Sequence, residues 1–249
     1  MCGIVAYVGS KDAYPILIKG LKRLEYRGYD SAGIALGYNE KVYQYKQKGK
    51  VDDLEKYIGN KNYKGSIGIG HTRWATHGAP NQKNAHPHNS PDGNLSLIHN
   101  GIIENYSSIK QALESKGYVF QSDTDTEVLI YLIQDIKNHE NVNLFEAVRL
   151  ALNEIVGAYA IVVLERGNNN ELIAARKGSP LVIGIGRDEY YIASDAAPII
   201  EYTNEVVYLE DNEIAIVNKN EDLHIKTIDN QIKTPYVQQL ALNLETIEK

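Results

Sequence analysis

Cysteine is nearly absent from this chain of 249 residues: it occurs once, at position 2. One thiol cannot close an internal disulfide, which suits a reducing compartment. No window holds the roughly 18 consecutive apolar residues of a membrane-spanning helix. Nor does a basic stretch precede a long apolar one at the N-terminus, so no secretory signal is expected and the cytoplasm is the expected location. Lys and Arg number 26 against 32 Asp and Glu, and no basic run occurs. That balance speaks against nucleic acid and anionic membrane surfaces as partners. What is present is ordinary for a globular protein: 43% hydrophobic and 23% charged residues, enough chain to bury a full core.

The single cysteine follows the initiator methionine directly, in Met1-Cys2-Gly3-Ile4-Val5. Removal of Met1 would leave one residue carrying both a thiol and a free α-amine, a nucleophile with a base a few bonds away. With Met1 retained, the Cys2 nitrogen is a peptide amide and that base is lost. Taken alone, Cys2 reads first as a small apolar residue of a buried first strand, and motifs elsewhere in the chain reverse that balance.

Apolar runs bounded by glycine predict strands at 3–9 and 66–72, with further strands at 31–37 and 42–48. Tyr14, Leu17, Ile18, Leu21 and Leu24 share a helical face in 11–25. Short helices are expected at 51–58, 104–116, 126–138 and 144–153. Thr124-x-x-Glu127 could cap the third of these. Residues 158–227 read as seven β-type runs interrupted by a short helix near 196–202. Helical pairs between groups of strands suggest sheets with helices packed outside. The polar stretch from about residue 229 to 249 is expected to begin a linker, leaving 1–228 as the domain.

The long irregular segment 74–94 holds three prolines and three of the seven histidines, and a loop of that length is usually functional. It follows His71-Thr72-Arg73-Trp74-Ala75-Thr76-His77-Gly78. Arg73 offers a planar donor fork suited to a carboxylate, and Thr76 adds a hydroxyl. His99-Asn100-Gly101 ends another apolar run; an Asn amide and a following glycine N–H could form an oxyanion hole. Asp123 and Asp125 precede a helix, where one could cap it and the other face an ammonium group. Taken singly, each has a plainer explanation: a structural ion pair, an Asn-Gly turn, a helix cap. The histidines at 71, 77, 86, 88 and 99 lack the helical i, i+4 pairing of zinc enzymes, so no metal site is expected and loop-ordering hydrogen bonds are.

Jointly these segments are specific. Met1 to Val5, Leu24-Glu25-Tyr26-Arg27-Gly28-Tyr29-Asp30-Ser31-Ala32-Gly33, His71 to Gly78, His99-Asn100-Gly101-Ile102-Ile103-Glu104-Asn105 and Thr124-Asp125-Thr126-Glu127 occur in this order. The chain closely resembles the glutaminase domains of the glucosamine-6-phosphate synthase family, from residue 2 to about residue 225. The Trp74 segment separates that family from related phosphoribosyl-pyrophosphate amidotransferases and asparagine synthetases.

The resemblance implies an α+β fold, a four-layer αββα sandwich of antiparallel sheets of the N-terminal-nucleophile hydrolase type. It implies that Cys2 attacks the side-chain amide of L-glutamine while Asn100 and the Gly101 N–H hold the oxyanion. Arg73, with Thr76 and His77, would bind the α-carboxylate. Asp125 and the Gly101 carbonyl would bind the α-ammonium, and Trp74 would ride on a closing loop. No metal or organic cofactor is implied. The ammonia would serve a C-terminal sugar-phosphate isomerase domain that binds fructose 6-phosphate and makes glucosamine 6-phosphate, in a homodimeric full-length enzyme. This chain would be the glutaminase portion alone. Two other readings remain: a different N-terminal-cysteine amidotransferase, or a glutamine sensor that binds without catalysis. The geometric expectation is that Cys2 lies near Asn100 and Gly101, with Arg73 and Asp125 converging on one space.

Overall fold

The structure, a computed structural model, describes residues 2–61, 64–74 and 78–241. The elements run β1 (Gly3–Val8), α1 (Ala13–Leu24), β2 (Ser31–Tyr38), β3 (Lys41–Lys48), α2 (Val51–Ile58), β4 (Ile67–Arg73), β5 (His88–Asn89) and β6 (Leu95–Ile103). Three helices follow, α3 (Tyr106–Ser115), α4 (Asp125–His139) and α5 (Leu144–Glu154). Then come β7 (Gly157–Glu165), β8 (Glu171–Lys177), β9 (Val182–Gly186), β10 (Glu189–Ala193), β11 (Glu205–Tyr208), β12 (Glu213–Asn218) and β13 (His224–Thr227). The short strands β14 (Ile232–Lys233) and β15 (Gln238–Gln239) end the order. Among the described residues no helix is long and apolar enough to cross a membrane.

The strands form two sheets, ordered β15-β11-β9-β10-β1-β4-β2-β3 and β14-β13-β12-β8-β7-β6-β5. Neighbouring strands pair antiparallel throughout, as in Val5↔Ala193 and Ile4↔His71 on either side of β1. Beyond residue 228 the chain still adds to the sheets: β14 pairs with β13 and β15 with β11.

Side-chain alternation explains why β1 is apolar at every position. Ile4, Ala6 and Val8 face the other sheet, where they join Ile98, Ala160, Val162 and Ala174 in a central core. Val5 and Tyr7 face outward into a second cluster with Leu17 and Leu21 of α1 and Leu54 of α2. The other sheet does the same: Leu97, Tyr159, Ile161 and Val163 pack against Ile130, Ile133, Val148 and Leu152 of α4 and α5. Helix, sheet, sheet and helix layers result, each sheet covered on both faces.

Three expectations change. Residues 196–202 form successive turns, not a helix; Pro198 removes one N–H from so short a segment. The apolar run expected to end at Asn100-Gly101 continues: β6 runs through it, with Asn100 opposite Ala160 and Gly101 opposite Tyr159. The capping box is half present. Thr124 Oγ1 accepts the Glu127 N–H at 3.3 Å, but the Glu127 carboxylate reaches past it to the N–H groups of Gln121 and Ser122 at 2.8 and 2.6 Å.

Candidate active site

Alternation also sets which polar residues meet between the sheets. Along β4, Ile67 and Ile69 belong to the central core, so His71 and Arg73 continue that face beyond its apolar part. Along β6, Ile98 faces the same core and Asn100 follows it two residues later. Cys2 stands two residues before Ile4 on β1. At one end of the sandwich the central core therefore gives way to a polar cluster supplied by both sheets.

A cavity of about 450 Å³ opens there, lined by Cys2, Arg73, Trp74, Asn100, Gly101 and Asp125, with Arg27, His86, His99, Thr124, Thr126 and Ser179–Pro180 among its other walls. That size falls within the ~300–1,000 Å³ of small-molecule sites. Of the eight site residues expected from sequence, six line this cavity. Thr76 and His77, like Met1, lie outside the described residues.

The Cys2 sulfur accepts the Trp74 N–H at 3.2 Å and lies 3.5 Å from the Trp74 carbonyl. Burial pushes the Cys2 thiol up, against the opposing pull of the Trp74 N–H and the Arg73 guanidinium. At neutral pH the group is thus a thiol that needs a base before it can act as a nucleophile. The Asn100 side chain spans the two sheets: Nδ2 donates to the Cys2 carbonyl at 3.1 Å, and Oδ1 lies 2.9 Å from His71 Nε2. Gly101 takes φ +135°, and a Cβ there would sit 2.0 Å from the Ala158 carbonyl oxygen. Only glycine fits that backbone.

Arg73 is 4% exposed, donates to the carbonyls of Ala79 and Gly78 at 3.4 and 3.3 Å, and lies 3.7 Å from Asp30. Its fork is thus anchored on one side by the returning loop. The two aspartates before α4 divide. Asp123 turns outward to Lys83 and Asn84 at 3.3 and 3.1 Å. Asp125 turns inward and is 4% exposed, with Oδ2 accepting the Ile103 N–H at 2.8 Å. Neither caps the helix, because Thr124 does. Trp74 is 54% exposed and packs over Gly28, where a Cβ would meet the indole at 2.6 Å.

The histidines order the site by hydrogen bonding. His88 Nε2 lies 3.0 Å from Thr124 Oγ1, His99 Nδ1 3.0 Å from Thr126 Oγ1, and His86 Nδ1 3.3 Å from His71 Nε2. Burial holds His71 down to about 3 and pushes His86 and His88 well below the ordinary histidine value, so all three are neutral. Of His71 the sequence suggests only a loop-ordering hydrogen bond, not a place in the site. Its signal was present in the alternation, which puts it on the Arg73 face.

Antiparallel sheets packed face to face under outer helices, with Cys2 lining the cavity between them, are the arrangement of the N-terminal-nucleophile amidotransferases. Residues 71–201 match the glutamine amidotransferase domain family, and the chain belongs to that family. Over 250 residues it is 58% identical to the isomerizing glutamine–fructose-6-phosphate aminotransferase of Bacteroides thetaiotaomicron, covering 100% of this chain and 41% of that protein. The corresponding protein of Pyrococcus horikoshii is 46% identical, with 100% of this chain and 42% of that protein covered. The chain thus spans about two fifths of the curated relatives it matches. Among solved structures, a glutamine phosphoribosylpyrophosphate amidotransferase of B. subtilis complexed with ADP and GMP superposes with TM-score 0.80 at 30% identity. That match covers 93% of this chain and 50% of the other.

Proposed function

We propose that this chain hydrolyses the side-chain amide of L-glutamine to glutamate and ammonia, through Cys2 as the nucleophile. The observation that carries the proposal is the convergence of Cys2, Asn100, Gly101, Arg73 and Asp125 on one cavity. Removal of Met1 frees the Cys2 α-amine, which takes the thiol proton directly or through water. The sulfur attacks the amide carbon and its oxygen becomes an oxyanion. An Asn NH2 carries two hydrogens; one is held by the Cys2 carbonyl, and the other serves the oxyanion together with the Gly101 N–H. The C–N bond breaks, ammonia leaves with the proton held by the amine, and a thioester remains. Water then hydrolyses it to glutamate and restores the thiol.

Arg73 is assigned to the α-carboxylate of glutamine, with Thr76 and His77 assisting. Asp125 and the Gly101 carbonyl are assigned to the α-ammonium. The relatives are named as fructose-6-phosphate aminotransferases. That name supports reading this chain as the glutaminase portion of a longer enzyme; that the whole enzyme is homodimeric and cytoplasmic is our further reading, resting on the family resemblance alone. Its linker would begin within residues 229–249 and lead to a domain that adds the ammonia to fructose 6-phosphate. The test is ammonia release from L-glutamine by purified protein whose intact mass shows loss of Met1, with Cys2→Ala as control. Tight glutamine binding without ammonia release would favour the sensor reading instead.

A further inference from the structure

Asn100 can serve an oxyanion only if its amide points the right way. The two ends of an Asn amide are nearly the same shape, and rotation about its last side-chain bond is soft. Something must therefore select the orientation. The Cys2 carbonyl can only accept, so the Asn100 group 3.1 Å from it must be the NH2. The amide oxygen is then the atom 2.9 Å from His71 Nε2, and an oxygen there requires a hydrogen on that nitrogen. The tautomer follows from the contacts without any assumed proton position.

We propose that His71 is a positioning residue for Asn100: its Nε2–H holds the amide oxygen, so that the NH2 stays turned toward Cys2 and the incoming oxyanion. This deepens the glutaminase reading and rests on it. His71 is fully buried and belongs to the sheet that carries Cys2, whereas Asn100 belongs to the other sheet. His71 stands directly opposite Ile4, two residues from the nucleophile. The His71–Asn100 hydrogen bond therefore ties the nucleophile's sheet to the donor's sheet at the point of reaction. His86 Nδ1, 3.3 Å from the same His71 nitrogen, shares that hydrogen as a second acceptor and must itself lack a proton. Without the His71 N–H, a flip would set the Asn100 oxygen against the Cys2 carbonyl and offer lone pairs to the oxyanion.

The test is a double-mutant cycle in Met1-processed protein, reading kcat and KM for glutamine in His71→Leu, His71→Gln, Asn100→Ala and the combinations. The donor's whole contribution is about 10²–10³ in rate, which bounds the effect. His71→Leu should lower kcat by about 10- to 100-fold and move KM by under about three-fold, because the contact strengthens only as charge develops. His71→Gln should recover much of the loss, since its amide nitrogen reaches about where Nε2 lay. In the Asn100→Ala background His71→Leu should change kcat by under about two-fold. Full additivity, a loss carried by KM, or failure of Gln to rescue would overturn the inference. Should His71→Leu fail to melt as a folded protein, His71→Asn replaces it, because its amide stops short of Asn100. Nitrogen NMR of the His71 ring gives a readout without turnover. A neutral ring protonated on Nε2 is expected, and one protonated on Nδ1 alone refutes the proposal. Inactive wild-type protein with the expected tautomer would instead sink the glutaminase reading.

Discussion

The two sheets contribute unlike chemistry to one cavity. The sheet of β1 and β4 supplies Cys2 and Arg73, a thiol and a positive charge. The sheet of β6, with the start of α4 beside it, supplies Asn100, Gly101 and Asp125, hydrogen-bond donors and a negative charge. On the proposed reading, neither half could bind and cleave an amino-acid amide alone. The lesson is that the site depends on how two layers register, a register to which the Asn100 contacts with Cys2 and His71 and the Gln44–Asn89 pair contribute.

The sharpest way to break the division is to remove the reacting atom from the first sheet. Cys2→Ala should abolish ammonia release while the thermal melt stays close to that of the unaltered protein; measurable turnover would end the assignment. Next comes the second sheet's donor. Asn100→Ala should lower kcat by about 10²–10³ with little change in KM, in a steady-state ammonia assay. The two charges should behave alike despite lying in different layers. Arg73→Lys loses a bidentate carboxylate contact and Asp125→Asn loses the ammonium's partner, so each should raise KM by about 10-fold or more. A kcat effect as large as that of Asn100→Ala would contradict this split.

Acid should loosen both halves together. The folded-state affinities of His71, His86 and His88 for a proton lie below that of an unfolded histidine, so below about pH 6.5 the unfolded chain binds more protons. Their stabilisation is complete above that pH and is lost as pH falls. Each contributes a slope of up to about 1.4 kcal/mol per pH unit, readable from urea midpoints between pH 7 and 5. A flat profile there would contradict the burial of neutral rings. The smallest effect belongs to Asp123. It lies two residues from Asp125 but pairs outward, so Asp123→Asn should alter KM by under about two-fold.

Much of this architecture was legible because it is local. Glycine-bounded apolar runs mark β1 and β4, and the spacing of Leu17, Leu21 and Leu24 marks α1. Thr124 marks the start of α4, as its side chain does in the structure. The alternatives stayed open where tertiary pairing decides against a local signal. Asn-Gly is a strong turn dipeptide, yet pairing with β7 carries the strand through it and forces the glycine into an unusual conformation. Which of Asp123 and Asp125 faces inward depends on the Ile103 N–H, 22 residues away in the chain. The His71–Asn100 contact joins residues 29 apart in different sheets, and no spacing rule announces it.

The central place of β1 also has a consequence in time. This strand is the first in chain order, yet one of its two neighbours is β10, some 190 residues later. At about 5–20 residues per second, a ribosome needs on the order of 10–40 s to supply that partner. Throughout that interval one edge of β1 stays open, and the start of the chain has only a partial sheet to settle into. An aminopeptidase acting on nascent chains, as the proposed removal of Met1 requires, would therefore meet Met1 before the strand next to Cys2 is closed in on both sides. The order of synthesis would expose the thiol-bearing end to processing first and enclose it afterwards.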